Sequence, residues 1–171
     1  WVFRIGPILN LAAIADTLLI MPMLGLPAML QFPGDFLLFA YLFALARFVT
    51  ILTAMDTGSS FEGMGASREA IFSTLTEPAL FLALATLIKH GHMVSLSDIF
   101  FYTAPLTEAS MALIAIVLLI VLLAENCRIP VDDPATHLEL TMIHEVMVLD
   151  NSGPDFAFIT YAACLKLWIT T

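Results

Sequence analysis

The chain has 171 residues, of which 60% are hydrophobic and 12% charged, with a mean hydropathy of +0.96 and a net charge of −9. A soluble domain averages about 25% charged and about 45–50% apolar residues, so composition excludes an ordinary soluble fold. It indicates an all-α polytopic membrane bundle, one integral-membrane domain over residues 1–171 embedded in the lipid bilayer. The acidic balance excludes a nucleic-acid binder, which presents basic surface. Cys127 and Cys164 stand far apart without ligand spacing and read as free thiols, with no metal site.

A spanning helix needs about 20 mostly apolar residues. Residues 8–30 qualify, with Asp16 inside and Pro22, Gly25 and Pro27 toward the end. Residues 31–35 read as a short turn and 36–55 as a second span carrying Arg47. The polar stretch 56–69 reads as a loop, on its Thr57-Gly58-Ser59-Ser60 run and on Gly63 and Gly65. Residues 70–88 form a third expected span holding Glu77-Pro78. Residues 94–104, with Phe100, Phe101 and Tyr102, read as interfacial. A fourth span runs over 105–124, with Pro105 placed favourably at its start. A second loop covers 125–154, and within it Leu138, Met142, Glu145 and Leu149 form one stripe of a surface helix over 134–150. Residue 156 opens a fifth span. Both ends look cut, which suggests a fragment of a longer subunit. Arg4, Arg68 and Arg128 share one side by parity, opposite Lys89, and the positive-inside rule makes that side, with both loops, cytoplasmic.

Charges within lipid need a reason. Asp16, Arg47 and Glu77 fall inside expected spans and Glu108 near the start of one; each unpaired central charge costs about 2.5–3.5 kcal/mol. They must face the bundle interior, pair or be protonated. Arg47 is the natural counter-charge to Glu77 or Asp16, as a structural ion pair or as part of a proton path. For Asp16 and Glu108 a simple interfacial position is the stronger reading. Pro78 breaks the local ladder beside Glu77, which favours that acid as a relay.

Familiar chemical motifs are absent. His144-Glu145 begins like a zinc-protease helix, but Val148 replaces the second histidine. His137, Thr141 and His144 share a face without further ligands, and Gly63-Met64-Gly65 lacks the strand and third glycine of a dinucleotide fingerprint.

One segment is more specific. Ala124-Glu125-Asn126-Cys127-Arg128-Ile129-Pro130-Val131-Asp132-Asp133-Pro134, followed by Glu139-Leu140, resembles the cytoplasmic loop of subunit 1, or H, of respiratory complex I. That family carries A-E-x-x-R-x-P-F-D-x-P and then E-L, with phenylalanine where Val131 stands here. The stretch from Arg128 to Asp150, and the Asp56–Glu69 stretch, look closer to the homologous subunit of membrane-bound group 4 nickel–iron hydrogenases, including formate hydrogenlyase. Glu77 falls where complex I has the glutamate of its I-S-Y-E motif.

The resemblance covers nearly the whole chain and implies the second through sixth of about eight spans. It implies a membrane-anchoring and ion-coupling subunit in a prokaryotic cytoplasmic membrane, starting a proton or sodium path and docking a soluble arm. Partners would be hydrogenase large and small (iron–sulfur) subunits and antiporter-like membrane subunits. Nickel–iron and iron–sulfur centres would lie in those partners and none in this chain. On this reading Glu77 and Glu125 are relay carboxylates, Arg47 tunes Glu77 and Arg128 tunes Glu125. Glu62, Arg68, Glu69, Asp132, Glu139 and Glu145 form the cytoplasmic funnel and docking surface. Two alternatives compete: a quinone-site subunit of a complex I-type oxidoreductase, and a passive anchor whose acids are structural.

Overall fold

The computed structural model describes residues 1–23, 25–91, 93–101, 109–128, 131–132 and 142–170, without the side chains of residues 90 and 100. Its elements are all helical: α1 (Val2–Ile20), α2 (Asp35–Asp56), α3 (Ser60–Gly91), α4 (Leu96–Phe101), α5 (Ala109–Glu125), α6 (Ile143–Val146) and α7 (Pro154–Thr170). Helices α1, α2 and α3 are long and apolar enough to cross a membrane, and α5 is apolar but shorter at 17 residues. Helix α7, also 17 residues, packs against α1. The chain is a membrane helical bundle.

Three boundaries differ from the sequence reading. The first span is not 8–30 but Val2–Ile20, because residues beyond Ile20 cannot continue the ladder. Pro22 and Pro27 lack an N–H, and Met23 and Leu26 exchange backbone hydrogen bonds of 3.2 and 2.8 Å across a tight turn. Gly25 occupies that turn's third position at φ 77°, which a type II turn requires. At its other end, α1 is capped by the Asp56 carboxylate, which accepts the Phe3 N–H at 3.0 Å.

The second difference is larger. Residues 56–69 are not a loop: only 57–59 interrupt the helices, and α3 runs 32 residues from Ser60, about 48 Å at 1.5 Å per residue. Polarity and glycine content misled because Glu62 sits in the first turn of α3, where the helix dipole welcomes an anion. Gly65 serves packing rather than turning. A Cβ there would lie 3.0 Å from Met147 Cγ and 3.2 Å from the Ile143 carbonyl oxygen, so glycine lets the 142–150 segment lie directly on α3.

Third, the surface helix expected over 134–150 lies partly outside the described residues; the described part holds one helical turn, α6. It does not float in water. Ile143, Val146, Met147 and Val148 are buried, and Ile143 and Met147 join Ala54 and Ala66 in a small core. The Asp132 carboxylate accepts the Ile143 N–H at 2.7 Å, and Glu62 accepts the Asp150 N–H at 3.0 Å. Two buried acids thus tie the segment to the bundle.

The opposite end of the bundle is tied by backbone. Gly34 donates to the Val94 carbonyl at 3.0 Å, Leu96 N–H donates to Asp35 Oδ1 at 2.6 Å, and Ala28 N–H reaches Ser97 Oγ at 3.2 Å. Helix α4 opens with a capping box. Asp98 N–H donates to Ser95 Oγ at 3.3 Å, and Ser95 N–H donates to Asp98 Oδ2 at 3.1 Å. The Val94 N–H, which also donates to Asp98 Oδ2 at 3.3 Å, and the Ser95 N–H hold the Asp98 carboxyl below its ordinary range. Between the two ends lies a dry core of Ile14, Ile20, Phe39, Phe43, Leu84 and Ile169.

The approach of α1 to α2 depends on Gly6. A Cβ there would fall 1.9 Å from Thr53 Oγ1, so a larger residue must part the helices. Gly6→Val is expected to destabilise by about 1–3 kcal/mol through overpacking. A lowered thermal midpoint of the purified protein would register it, and an unchanged midpoint would show that Thr53 simply rotates away.

Candidate functional site

Arg47 precedes the end of α2 by nine residues and Glu69 follows the start of α3 by nine, so both lie about 13–14 Å from the α2–α3 turn. There Arg47 is 4% exposed and Glu69 5%. The guanidinium hydrogen-bonds Thr76 Oγ1 through one terminal nitrogen at 2.7 Å and Glu125 Oε2 through the other, and its Nε forms an ion pair with Glu69 Oε1 at 2.8 Å. The second Glu125 oxygen takes Lys166 Nζ at 3.0 Å. Lys166 comes from α7, and its ammonium lies 5.7 Å from the centroid of the Phe43 ring, a cation–π distance.

Two carboxylates and two cations make a neutral quartet drawn from four helices. Neutrality is what permits it: a buried ion is tolerated when paired and hydrogen-bonded. Beside it, Cys127 Sγ reaches Glu69 Oε2 at 3.6 Å. Burial, then the Glu69 charge, pushes this thiol up to about 12. Cys127 also ends α5. Arg128 N–H donates to the Leu123 carbonyl at 2.9 Å and Cys127 N–H to the Ala124 carbonyl at 3.2 Å, with Cys127 at φ 47°. That is a Schellman cap with cysteine in the left-handed position usually given to glycine. A thiolate-selective reagent at about pH 8 is expected to leave Cys127 unmodified in the native protein and to label it after unfolding. Mass spectrometry reads the site, and native labelling would contradict the burial.

A cavity of about 380 Å³ opens beside the quartet, its polar floor Arg47, Glu69, Glu125 and Lys166, one apolar wall Phe156, Ile159 and Ala163. His144 also lines it, and burial, then repulsion by Lys166, holds that imidazole below its usual range. The arrangement joins solvent-sized space to paired acids inside a membrane bundle. The whole chain, residues 1–171, matches the NADH dehydrogenase protein family. The chain belongs to that family. It is 30% identical over 169 residues to formate hydrogenlyase subunit 4 of Escherichia coli (strain K12), covering 97% of this chain and 54% of the relative. It is 35% identical over 138 residues to hydrogenase-4 component C of the same organism, covering 78% of this chain and 42% of the relative. The chain thus spans about half the length of the curated relatives it matches.

Several site residues of this family member stand elsewhere than the sequence suggested. Arg47 pairs with neither Glu77 nor Asp16; its donors are taken by Glu69, Thr76 and Glu125. Asp16 is exposed on the outer face of α1, because the inward stripe of that helix is taken by Ala13, Ile14 and Thr17. Glu77 follows Thr76 on α3 and is half-buried, close to the quartet but without a direct ion-pair partner among the described residues. Glu125 pairs with Arg47 and Lys166, while the Arg128 side chain is exposed.

Of the expected docking acids, Glu62, Glu69 and Asp132 turn inward, at 0%, 5% and 2% exposure, since each is consumed by a hydrogen bond or ion pair within the chain. Arg68 is half-buried, with Met64 Sδ at 3.8 Å. Glu145 is exposed, while Glu139, Glu108 and His137 lie outside the described residues. Lys166 is the member of the quartet that sequence reasoning passed over, although a lone cation eleven residues into an apolar run was a visible signal.

Proposed function

We propose that this chain is the anchoring and ion-coupling membrane subunit of an energy-converting hydrogenase complex in a prokaryotic cytoplasmic membrane. Its relatives are a formate hydrogenlyase subunit and a hydrogenase-4 component, which supports that class of assembly. The soluble nickel–iron and iron–sulfur subunits dock at the end formed by α6 and the α2–α3 turn, where Arg128 and Glu145 are exposed. Antiporter-like subunits flank the helices within the bilayer.

The observation that carries the reading is the neutral buried quartet at the floor of an open cavity. A proton arriving through the cavity meets Glu125 between a rigid guanidinium and a flexible ammonium. Protonation of Glu125 leaves two cations against Glu69 alone, so Lys166, on its mobile stem, withdraws toward the cavity. The dry core of Phe39 and Phe43 opposes onward passage along α2. Glu77, two turns further along α3 and half-buried, offers a lateral acceptor toward neighbouring membrane subunits.

Glu125→Gln in the intact complex is expected to lower ion transport per hydrogen formed, with Glu125→Asp retaining part of it. Undiminished transport per hydrogen in Glu125→Gln would end the proposal. A quinone-site reading is favoured by one observation: the cavity volume falls within the range of about 300–1,000 Å³ typical of small-molecule sites. A quinone-site inhibitor that stops turnover would support that alternative.

A further inference from the structure

A second, much smaller pocket of about 10 Å³ lies between α1, α2 and the turn that precedes α7, lined by Asn10, Thr50, Thr53 and Asn151 among others. That size is about one water probe. Four of its nine lining residues carry polar side chains within an otherwise apolar wall. Asn151 is 8% exposed, and its Oδ1 is buried without a hydrogen-bond partner in the chain. Asn10, in the middle of α1, has no side-chain hydrogen bond among the described residues. The Thr50 and Thr53 hydroxyls donate to the Ala46 and Val49 carbonyls at 2.9 and 2.7 Å, which leaves their oxygens as acceptors.

We infer that these four residues hold one buried water molecule, which extends the ion route away from the quartet. The donor and acceptor inventory closes. The water donates one proton to Asn151 Oδ1 and the other to a threonine oxygen, and it accepts an N–H from Asn10. Three bonds are typical of a buried water, and an unpaired buried amide oxygen is costly without one. Glycine at position 6 keeps the Thr53 hydroxyl beside this space. Asn10 and Thr50 also line the larger cavity with Arg47 and Glu125, so the water sits at the back wall of that cavity. It links α1 and the buried end of the 142–151 segment to the acids. The role in conduction rests on the ion-coupling reading; the water site itself does not.

The two are separated by radiolytic footprinting of the intact complex. Hydroxyl radicals born at a bound water oxidise adjacent side chains despite burial, and Pro7 lines only the small pocket. Pro7 is expected to be oxidised in the native complex and protected in Asn10→Leu, which fills the space. Asn151→Asp, nearly isosteric, is expected to keep the oxidation. Transport per hydrogen formed is expected to fall in Asn10→Leu. A Pro7 that stays unoxidised in the native complex, or is oxidised equally in Asn10→Leu, overturns the water site. Lost oxidation with transport per hydrogen unchanged overturns its part in the route, whatever Glu125→Gln shows.

Discussion

Arg47→Leu is expected to destabilise the subunit by about 3–5 kcal/mol, the usual consequence of stripping one partner from a buried ion pair. The argument is one of count. The guanidinium answers Glu69, Glu125 and the Thr76 hydroxyl at once, and Lys166 reaches only Glu125. Without Arg47, Glu69 keeps only the weak Cys127 thiol as a polar partner among the described residues. Arg47→Lys restores the charge but not the planar fork, so it recovers part of the loss. Thr76→Val removes the hydroxyl's bonds to the guanidinium and to the Phe72 carbonyl and should cost about 1.5–3 kcal/mol, less than losing the ion pairs. Unfolding of the purified complex in denaturant ranks the three. A stability loss in Arg47→Leu no greater than in Thr76→Val would mean the acids are already protonated and the quartet is not ionic.

Replacing the whole quartet with apolar residues is expected to do the reverse to stability while abolishing transport. A buried ionic set exchanged for apolar residues of similar volume is often neutral or stabilising by about 1–4 kcal/mol. Arg47→Met, Glu69→Met, Glu125→Leu and Lys166→Met together should therefore fold better than Arg47→Leu alone, a strongly non-additive result expected of groups in direct contact. Hydrogen formation per complex and ions moved per hydrogen are read in sealed vesicles. Full ion movement in the quadruple variant would identify the charges as structural and the chain as a passive anchor. Lost movement with retained assembly separates conduction from folding, which no single substitution here can do.

The helices themselves were legible because long apolar runs have few alternatives in lipid, where every backbone group must be satisfied within the segment. Their ends were not. Residues 60–69 carry loop-like composition yet continue α3, because Glu62 suits a helix start and Gly65 answers a packing demand from a segment some 80 residues away. Intramembrane charges were legible as a problem to be solved, but not their partners. Glu125 meets Arg47 across 78 residues of sequence, and only helix rotation decides whether Arg47 faces it or Glu77. Asp16 shows the converse, since an acid in an apolar run turned outward once Thr17 took the inward position. Expecting 125–154 to be water-facing treated acidity as exposure, whereas Asp132 and Glu62 use their carboxylates to hold backbone N–H groups. The resemblance in the Glu125–Asp132 stretch drew attention to a segment whose glutamate lies in the quartet.

The dry layer around Phe39 and Phe43 has an electrical consequence. On the proposed ion route, water admitted to the cavity would bring the potential of the adjoining compartment inward to the floor, so the voltage would fall across the apolar layer rather than across the full bilayer. Each elementary charge crossing there works against about 2.3 kcal/mol per 100 mV, concentrated into the few turns between Arg47 and Asp35. On that proposed route a carboxylate at the floor would therefore exchange protons under nearly one compartment's conditions, and the transmembrane voltage would oppose the next step rather than the first.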